Sequence, residues 1–479
     1  MVAIAAPVTE TKSNLGVAAA IAGGLLAAAA VGAGVAFGEL QAAFVGLSLI
    51  ASAAVIYDFR FGAVAMCLML PVAESTLFPR GLFGIIGLTP LNLLTVATLA
   101  SFLLHGRLHP RAGPIASKQL VWLYLVPLLV AGAMGSRHAG DVATELYEAG
   151  AIHFTDAFSY TAELVVKPLM MVLVALLVGA AAARSKKPER FLIPMGIAMW
   201  LMCYLSISFA VRSSLSLEEL SSASTRGFFS GSGLHANDLG RLYAAAYALL
   251  LFAWHESRNA TFRLACLATM GVVIVALIFT FSRGAFLGFL VVNGLFILWR
   301  FNMKTAALAL LAGAALVAAL PNAVFERAMF GFGTDTNTVT AGRLEDIWIP
   351  LLPELFKSPI WGSGLGSIMW SDAMRRGVMA IVEHPHNAYL EAFVDTGVIG
   401  LALIIAYFLG VWKRLRELGS NANLSPELRG FYKGAAAALI AFFVTGIAGS
   451  SFAPRPEWAF LWLAIGMMYG QLARKPPVG

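Results

Sequence analysis

Charge is scarce in this sequence: Asp, Glu, Lys and Arg make up only 12% of the 479 residues, against 59% hydrophobic residues and a mean hydropathy of +0.79. So few charges cannot cover the surface of a water-soluble chain of this length, so a soluble globular protein is excluded. Cysteine is nearly missing. Cys67, Cys203 and Cys266 all lie inside apolar runs, which excludes a disulfide framework or a thiolate metal site and reads them as small core residues. Alternating strand-length patterns are also wanting between the charged clusters, so helices rather than a closed barrel must satisfy the backbone in lipid. No internal repeat and no low-complexity tract is evident. Nor is there a cleavable leader: Met1–Asn14 is mildly polar with one Lys, and the apolar run 15–37 is long enough to remain as a signal anchor.

What is present is a succession of apolar runs, at 15–37, 40–57, 62–78, 86–105, 119–135, 164–183, 191–211, 236–254, 264–281, 285–299, 305–321, 397–412, 434–450 and 458–473. They predict an all-α integral membrane protein of about 12–14 transmembrane helices. If every run crosses and the N-terminus is cytoplasmic, one face receives twenty of the 33 cations and six of the 26 anions, a balance of +14 against −7 opposite. The positive-inside rule then places both termini in the cytoplasm. The cations are spread in short juxtamembrane clusters that suit anionic membrane lipids, so the basic balance predicts no nucleic-acid partner.

This orientation sends three polar segments, 136–163, 212–235 and 322–396, to the outer face. The predicted organisation is a helix bundle over 1–321 carrying the first two segments, a large partly helical outer loop over 322–396, and C-terminal spans over 397–479. The acidic and aromatic 136–163 segment reads as an amphipathic flap on the bilayer. A site built on 322–396 would act on something presented at that membrane face.

Candidate site residues fall in four places. Arg226 and the glycines at 227, 231 and 233 precede Asn237 and Asp238, either of which is a candidate cap for the next span; Arg241 follows one turn later. Arg226 is read as a phosphate ligand or a solvated loop cation, and Arg241 as reaching the same mouth or snorkelling. Thr280-Phe281-Ser282-Arg283-Gly284 is a tight turn that holds Arg283 near the interface, at a phosphate or at lipid. Arg343 opens an amphipathic helix with Leu344, Ile347, Trp348, Leu351 and Leu355 on one side, followed by the glycines 362, 364 and 366, compatible with a phosphate cradle or plain turns. Last, His386 precedes Asn387, a good cap for a helix 388–396 stopped by Gly397. An imidazole there has the ordinary pKa, about 6.5, of a general base, or it merely bonds the turn. Glu345 and Asp346 lie on opposite sides of their helix and His384 and His386 are two apart, a poor metal set.

The motifs Arg226-Gly227, His235-Ala236-Asn237, Ser282-Arg283-Gly284, Gly342-Arg343 with Trp348, Gly362-Ser363-Gly364, and His386-Asn387-Ala388-Tyr389 with Gly397 and Gly400 resemble, in this order, those of the O-antigen ligase and polymerase superfamily. Where that family often has Pro before the Asn, this chain has Ala236. The resemblance implies a GT-C-like multi-span glycosyltransferase with a periplasmic loop domain in the bacterial inner membrane. Its donor would be a glycan on undecaprenyl diphosphate and its acceptor lipid A-core, with no nucleotide sugar, metal or other cofactor. It makes His386 the general base, with Arg226 and Arg283 as the catalytic diphosphate clamp. Arg343, Asn387, Asn237, Arg241 and Gly364 would bind substrate. With no further domain expected after the last hairpin at Arg455, the resemblance favours a ligase over a polymerase or a protein O-oligosaccharyltransferase. A lipid-linked-substrate transporter is the reading from another class, but it would put charges near the bilayer midplane.

Overall fold

A computed structural model describes residues 51–474 except 53, 77, 79–80, 83–84, 106–115, 153, 214, 223–232, 332, 450 and most of 300–320, together with Gly46. The runs 15–37 and 305–321, most of 40–57, and Arg226 therefore lie outside the described residues.

Every apolar run within the described residues is helical. Among the described residues, six helices are long and apolar enough to cross a membrane: Leu120–His138 (α3), Ala157–Arg184 (α4), Pro188–Arg212 (α5), Ala260–Phe279 (α7), Ala388–Ser420 (α9) and Pro426–Gly446 (α10). Shorter apolar helices are Phe59–Met69 (α1), Pro90–His105 (α2) and Arg283–Trp299 (α8), and two further runs form Ala236–Glu256 (α6) and Ala459–Ala473 (α11). The protein is an all-α integral membrane protein.

Two compact units can be distinguished. In the smaller one α1 meets α2 so closely that a Cβ on Gly62 would come within 2.0 Å of the Thr98 hydroxyl, and Phe59 packs edge-on against Phe102 at 5.4 Å. A short antiparallel hairpin pairs Gly81–Leu82 with Ile85–Ile86. In the larger unit α6 is buried along almost its whole length and packs on α7, α8 and α10. Its small Ala-rich face allows this approach: a Cβ on Gly434 of α10 would stand 2.5 Å from the Ala248 carbonyl. Between α4 and α11 the same device recurs at Gly179, Gly466 and Gly470. Without a hydrophobic gain in lipid, such close backbone contact is what holds helices together.

The polar segments 136–163 and 344–394 share one hydrophobic core, with Leu146, Phe154 and Tyr160 from the first against Ile347, Leu351 and Trp370 from the second. The 136–163 segment is thus half of a packed subdomain, because Phe154 and Tyr160 enter the core it shares with the later loop, while Phe158 is left 84% exposed. The expected amphipathic helix runs from Leu344 to Phe356, with wide turns to Trp348, ordinary ones to Leu351 and tight ones after, and it buries Ile347 and Leu351.

As expected, the helix that begins at Ala388 is interrupted at Gly397, whose backbone is non-helical (φ 67°, ψ −176°), so that α9 is two helices meeting at a kink. The 359–366 loop docks into this kink: the Val398 amide donates to the Pro359 carbonyl at 2.9 Å and the Gly364 amide to the Asp395 carbonyl at 3.0 Å. Only glycine suits Gly397, where a Cβ would lie 2.2 Å from the Ile360 carbonyl oxygen in a left-handed conformation. Gly397→Ala is expected to cost about 1–3 kcal/mol from backbone strain alone, read as a lowered thermal transition of the detergent-solubilised protein. Gly410→Ala is the control, because its Cβ would meet only the Gln119 side chain at 3.5 Å; equal effects in both variants would refute this account of the kink.

Candidate functional site

The polar residues gather where several helices begin. At the start of α6, His235 rather than Asn237 or Asp238 is the cap: the helix opens at Ala236, and the Asn237 amide donates to His235 Nδ1 at 3.1 Å. Asn237 lies in the first turn, partly exposed. One turn on, Arg241 is buried, with Nη1 at 2.9 Å from Asp238 Oδ1 and 3.4 Å from Glu457 Oε1. It neither snorkels nor reaches water. Two carboxylates already hold it, which fits a cation that shapes the wall of the site.

The turn between α7 and α8 is rigid for local reasons. Phe281 takes a left-handed φ of 47° with its ring fully buried, a strained position for an aromatic residue. The Ser282 amide donates to Thr280 Oγ1 and the Ala285 amide to Ser282 Oγ, both at 3.3 Å. Arg283 therefore leaves a fixed point, and its Nη1 donates to the Phe330 carbonyl at 2.9 Å. Arg343 follows two left-handed residues, Ala341 (φ 58°) and Gly342 (φ 82°). Burial first, then the charges of Arg241, Arg283 and Arg327, push its pKa down to about 10. Among the described residues, neither Arg283 nor Arg343 has a carboxylate within ion-pair distance. Two cations packed among other cations without a counter-charge form a site for an anion.

His386 is itself in the left-handed region (φ 53°). Its amide donates to His384 Nδ1 at 3.4 Å, and the two rings meet edge to face at 4.2 Å. The Trp348 indole pins the turn by donating to the Pro385 carbonyl at 2.8 Å. Asn387 caps α9 as expected: its Oδ1 accepts from the Tyr389 and Leu390 amides at 3.0 and 3.1 Å. Burial, and then the charges of Arg343, Arg241, His235 and Arg455, push His386 down to about 3. His384 is held well below the ordinary value by burial first and by His386 next. Both imidazoles are therefore neutral near pH 7, and the same burial and charges weaken them as proton acceptors until an anion offsets the cations.

His386, Arg343, Arg283 and Arg241 are thus brought into one neighbourhood, with Asn387 at the foot of the turn. Gly364 is not among them. Its amide is engaged by Asp395, and a Cβ on it would lie 2.3 Å from the Gly135 amide nitrogen. The neighbouring Gly366 and Ser367 amides donate to the Asp395 carboxylate, both at 3.0 Å, so this glycine loop fastens the subdomain to α3 and α9. Glu345 accepts from Asn337 Nδ2, and no cluster of three His, Cys, Asp or Glu suited to a metal occurs among the described residues. Two further cations belong to the site. Arg327, in Asn322–Met329, lies over the Phe330 ring at 5.5 Å and acts on Arg343. Arg455, beside the two histidines in charge, has Nη2 3.6 Å from Glu391 Oε1.

This is a multi-span helical membrane protein with a cluster of arginines and histidines where its helices begin. Residues 265–405 match the family model described as O-antigen ligase, the family whose motifs the sequence resembles. Arg283, Arg327, Arg343, His384 and His386 fall inside the match; Arg241 and Arg455 fall outside it. A Rickettsia conorii protein named "Putative polysaccharide ligase" is 25% identical over 211 residues, covering 41% of this chain and 47% of the relative, or about half of that protein's length.

Proposed function

We propose that the protein is a glycosyltransferase that moves O-antigen polysaccharide from undecaprenyl diphosphate to the lipid A-core oligosaccharide. It would work at the periplasmic face of the inner membrane, without metal, with both termini in the cytoplasm. The observation that carries this reading is the pair Arg283 and Arg343, which have no carboxylate partner among the described residues and stand in one cationic neighbourhood with the neutral His386. In the proposed reaction His386 removes the proton from an acceptor hydroxyl. The oxygen attacks the anomeric carbon, the bond from that carbon to the diphosphate oxygen breaks, and undecaprenyl diphosphate leaves with its electron pair. A single displacement inverts the anomeric centre. Because a diphosphate is already a good leaving group, charge stabilisation by arginines, a base and alignment are sufficient.

Arg226 joins the clamp by resemblance. Asn387 and Asn237 would meet substrate hydroxyls, and Arg241 would fix the charge balance behind the histidines. The outer loop 322–396 would serve as the catalytic domain between the bundle and the C-terminal spans. A polymerase or a protein O-oligosaccharyltransferase uses the same chemistry with another acceptor. Reconstitution in proteoliposomes with purified undecaprenyl diphosphate glycan and lipid A-core tests the reading. The expected result is transfer in the presence of EDTA; translocation of the donor without transfer would make the protein a transporter instead.

A further inference from the structure

The helix 344–356 has a second apolar face that lies exposed among the described residues. While Ile347 and Leu351 enter the core, Ile349 is 51% exposed, Leu352 46%, Phe356 80%, Ile360 50% and Trp361 62%. At helical spacing Ile349, Leu352 and Phe356 form one line, and the turn that follows extends it to Ile360 and Trp361. The charge within this ridge is turned away from it: the Lys357 ammonium is bound at 2.8 Å by Glu354 and at 2.6 Å by Asp372. A contiguous exposed ridge of this kind marks an interaction surface.

Its continuation identifies the partner. The Val398 amide donates to the Pro359 carbonyl and the Ile399 amide to that of Ile360, so the ridge is hydrogen-bonded onto α9 just past the kink. There Val398 and Ile399 are 50% and 38% exposed on a helix apolar enough to cross the membrane. The ridge and the lipid-facing surface of α9 are therefore one apolar surface. We propose that this ridge lies in the bilayer, at the boundary between head groups and acyl chains, as an interfacial helix with Trp361 in the aromatic belt. Arg343 stands at the start of the same helix. The embedded ridge then fixes the depth of that guanidinium against lipid phosphates and holds the subdomain down at the entrance from the membrane. This inference requires only that the protein is membrane-integral and stands apart from the reaction proposed above.

Site-directed spin labelling in proteoliposomes tests it. With Cys67, Cys203 and Cys266 replaced by alanine, nitroxides are placed at Phe356→Cys and Ile360→Cys, with Glu148→Cys on an exposed part of the 136–163 segment as control. The expected result is more frequent collision with oxygen than with a polar nickel chelate at positions 356 and 360, and the reverse at 148. A nickel preference at 356 and 360 would overturn the proposal. So would dipolar broadening between labels of two copies, which would make the ridge a protein interface. The unsubstituted protein gives a second measurement, through photo-crosslinking to a phosphatidylcholine carrying a diazirine on its acyl chain. Adducts are expected within 349–361 as well as on α9; adducts on α9 with none in 349–361 would equally overturn it.

Discussion

His386→Ala will lower transfer by about 10²–10⁴-fold, the usual worth of a general base, while leaving affinity for the lipid diphosphate donor nearly unchanged. The division follows from what the ring contributes: a neutral proton acceptor, not a charge that the diphosphate needs. The pH dependence sharpens the test. In the free protein burial and the neighbouring cations push His386 down to about 3, so the active, neutral form persists far into acid and the acid limb of kcat/KM lies well below 6.5. A bound diphosphate cancels much of the charge of Arg343 and Arg241, which raises the imidazole again and strengthens it as a base once the donor is in place. The acid limb of kcat should therefore lie above that of kcat/KM. Stability follows the same sign. A histidine lowered on folding binds its proton in the unfolded chain first, so its contribution is complete above about 6.5 and declines as the pH falls towards 3. Near-normal turnover of His386→Ala across pH 6–8 would remove it as the base and leave His384 or His235 as candidates.

How much of this was legible depended on whether the physics was local. Apolar runs and the Asn387 cap are local, and both were readable. The break at Gly397 was readable as well, because glycine supplies the one left-handed residue that ends one helix and turns the chain into the next; the loop that docks into the break was not. Choosing His235 over Asn237 as a cap depends on a one-residue shift in the helix start, which spacing does not fix. The glycine loop was ambiguous because its partner is remote. Asp395, a carboxylate within an otherwise apolar stretch, was the signal that buried amides had to be satisfied there. Nothing in their local sequence marks Arg327 or Arg455; what distinguishes them is company from segments far along the chain. The shared core of 136–163 and 344–394 likewise depends on long-range pairing of two aromatic-rich segments.

Arg343→Ala and Arg283→Ala are expected to weaken donor binding by about 1.5–3 kcal/mol each, roughly 10–100-fold, the worth of a hydrogen bond to a charged group, and to lower turnover as well. Lysine should rescue the two positions differently. At 283 the guanidinium starts from a fixed turn and reaches the Phe330 carbonyl, so lysine keeps the charge and loses the planar fork, giving partial rescue. At 343 the burial and neighbouring cations that push an arginine down to about 10 would also push a lysine below its ordinary value of about 10.4. Arg343→Lys should therefore bind donor measurably at pH 6.5 and progressively less towards pH 9, while Arg283→Lys stays flat over the same range. Arg241→Ala provides the contrast. Its removal strands Asp238 and Glu457 without their buried cation, so it should lower thermal stability even in the absence of donor. Donor affinity measured on purified variants in nanodiscs decides between these roles. Unchanged affinity in Arg343→Ala would mean that the cations without carboxylate partners do not hold the diphosphate, and the charge-stabilisation half of the proposed mechanism would fall with it.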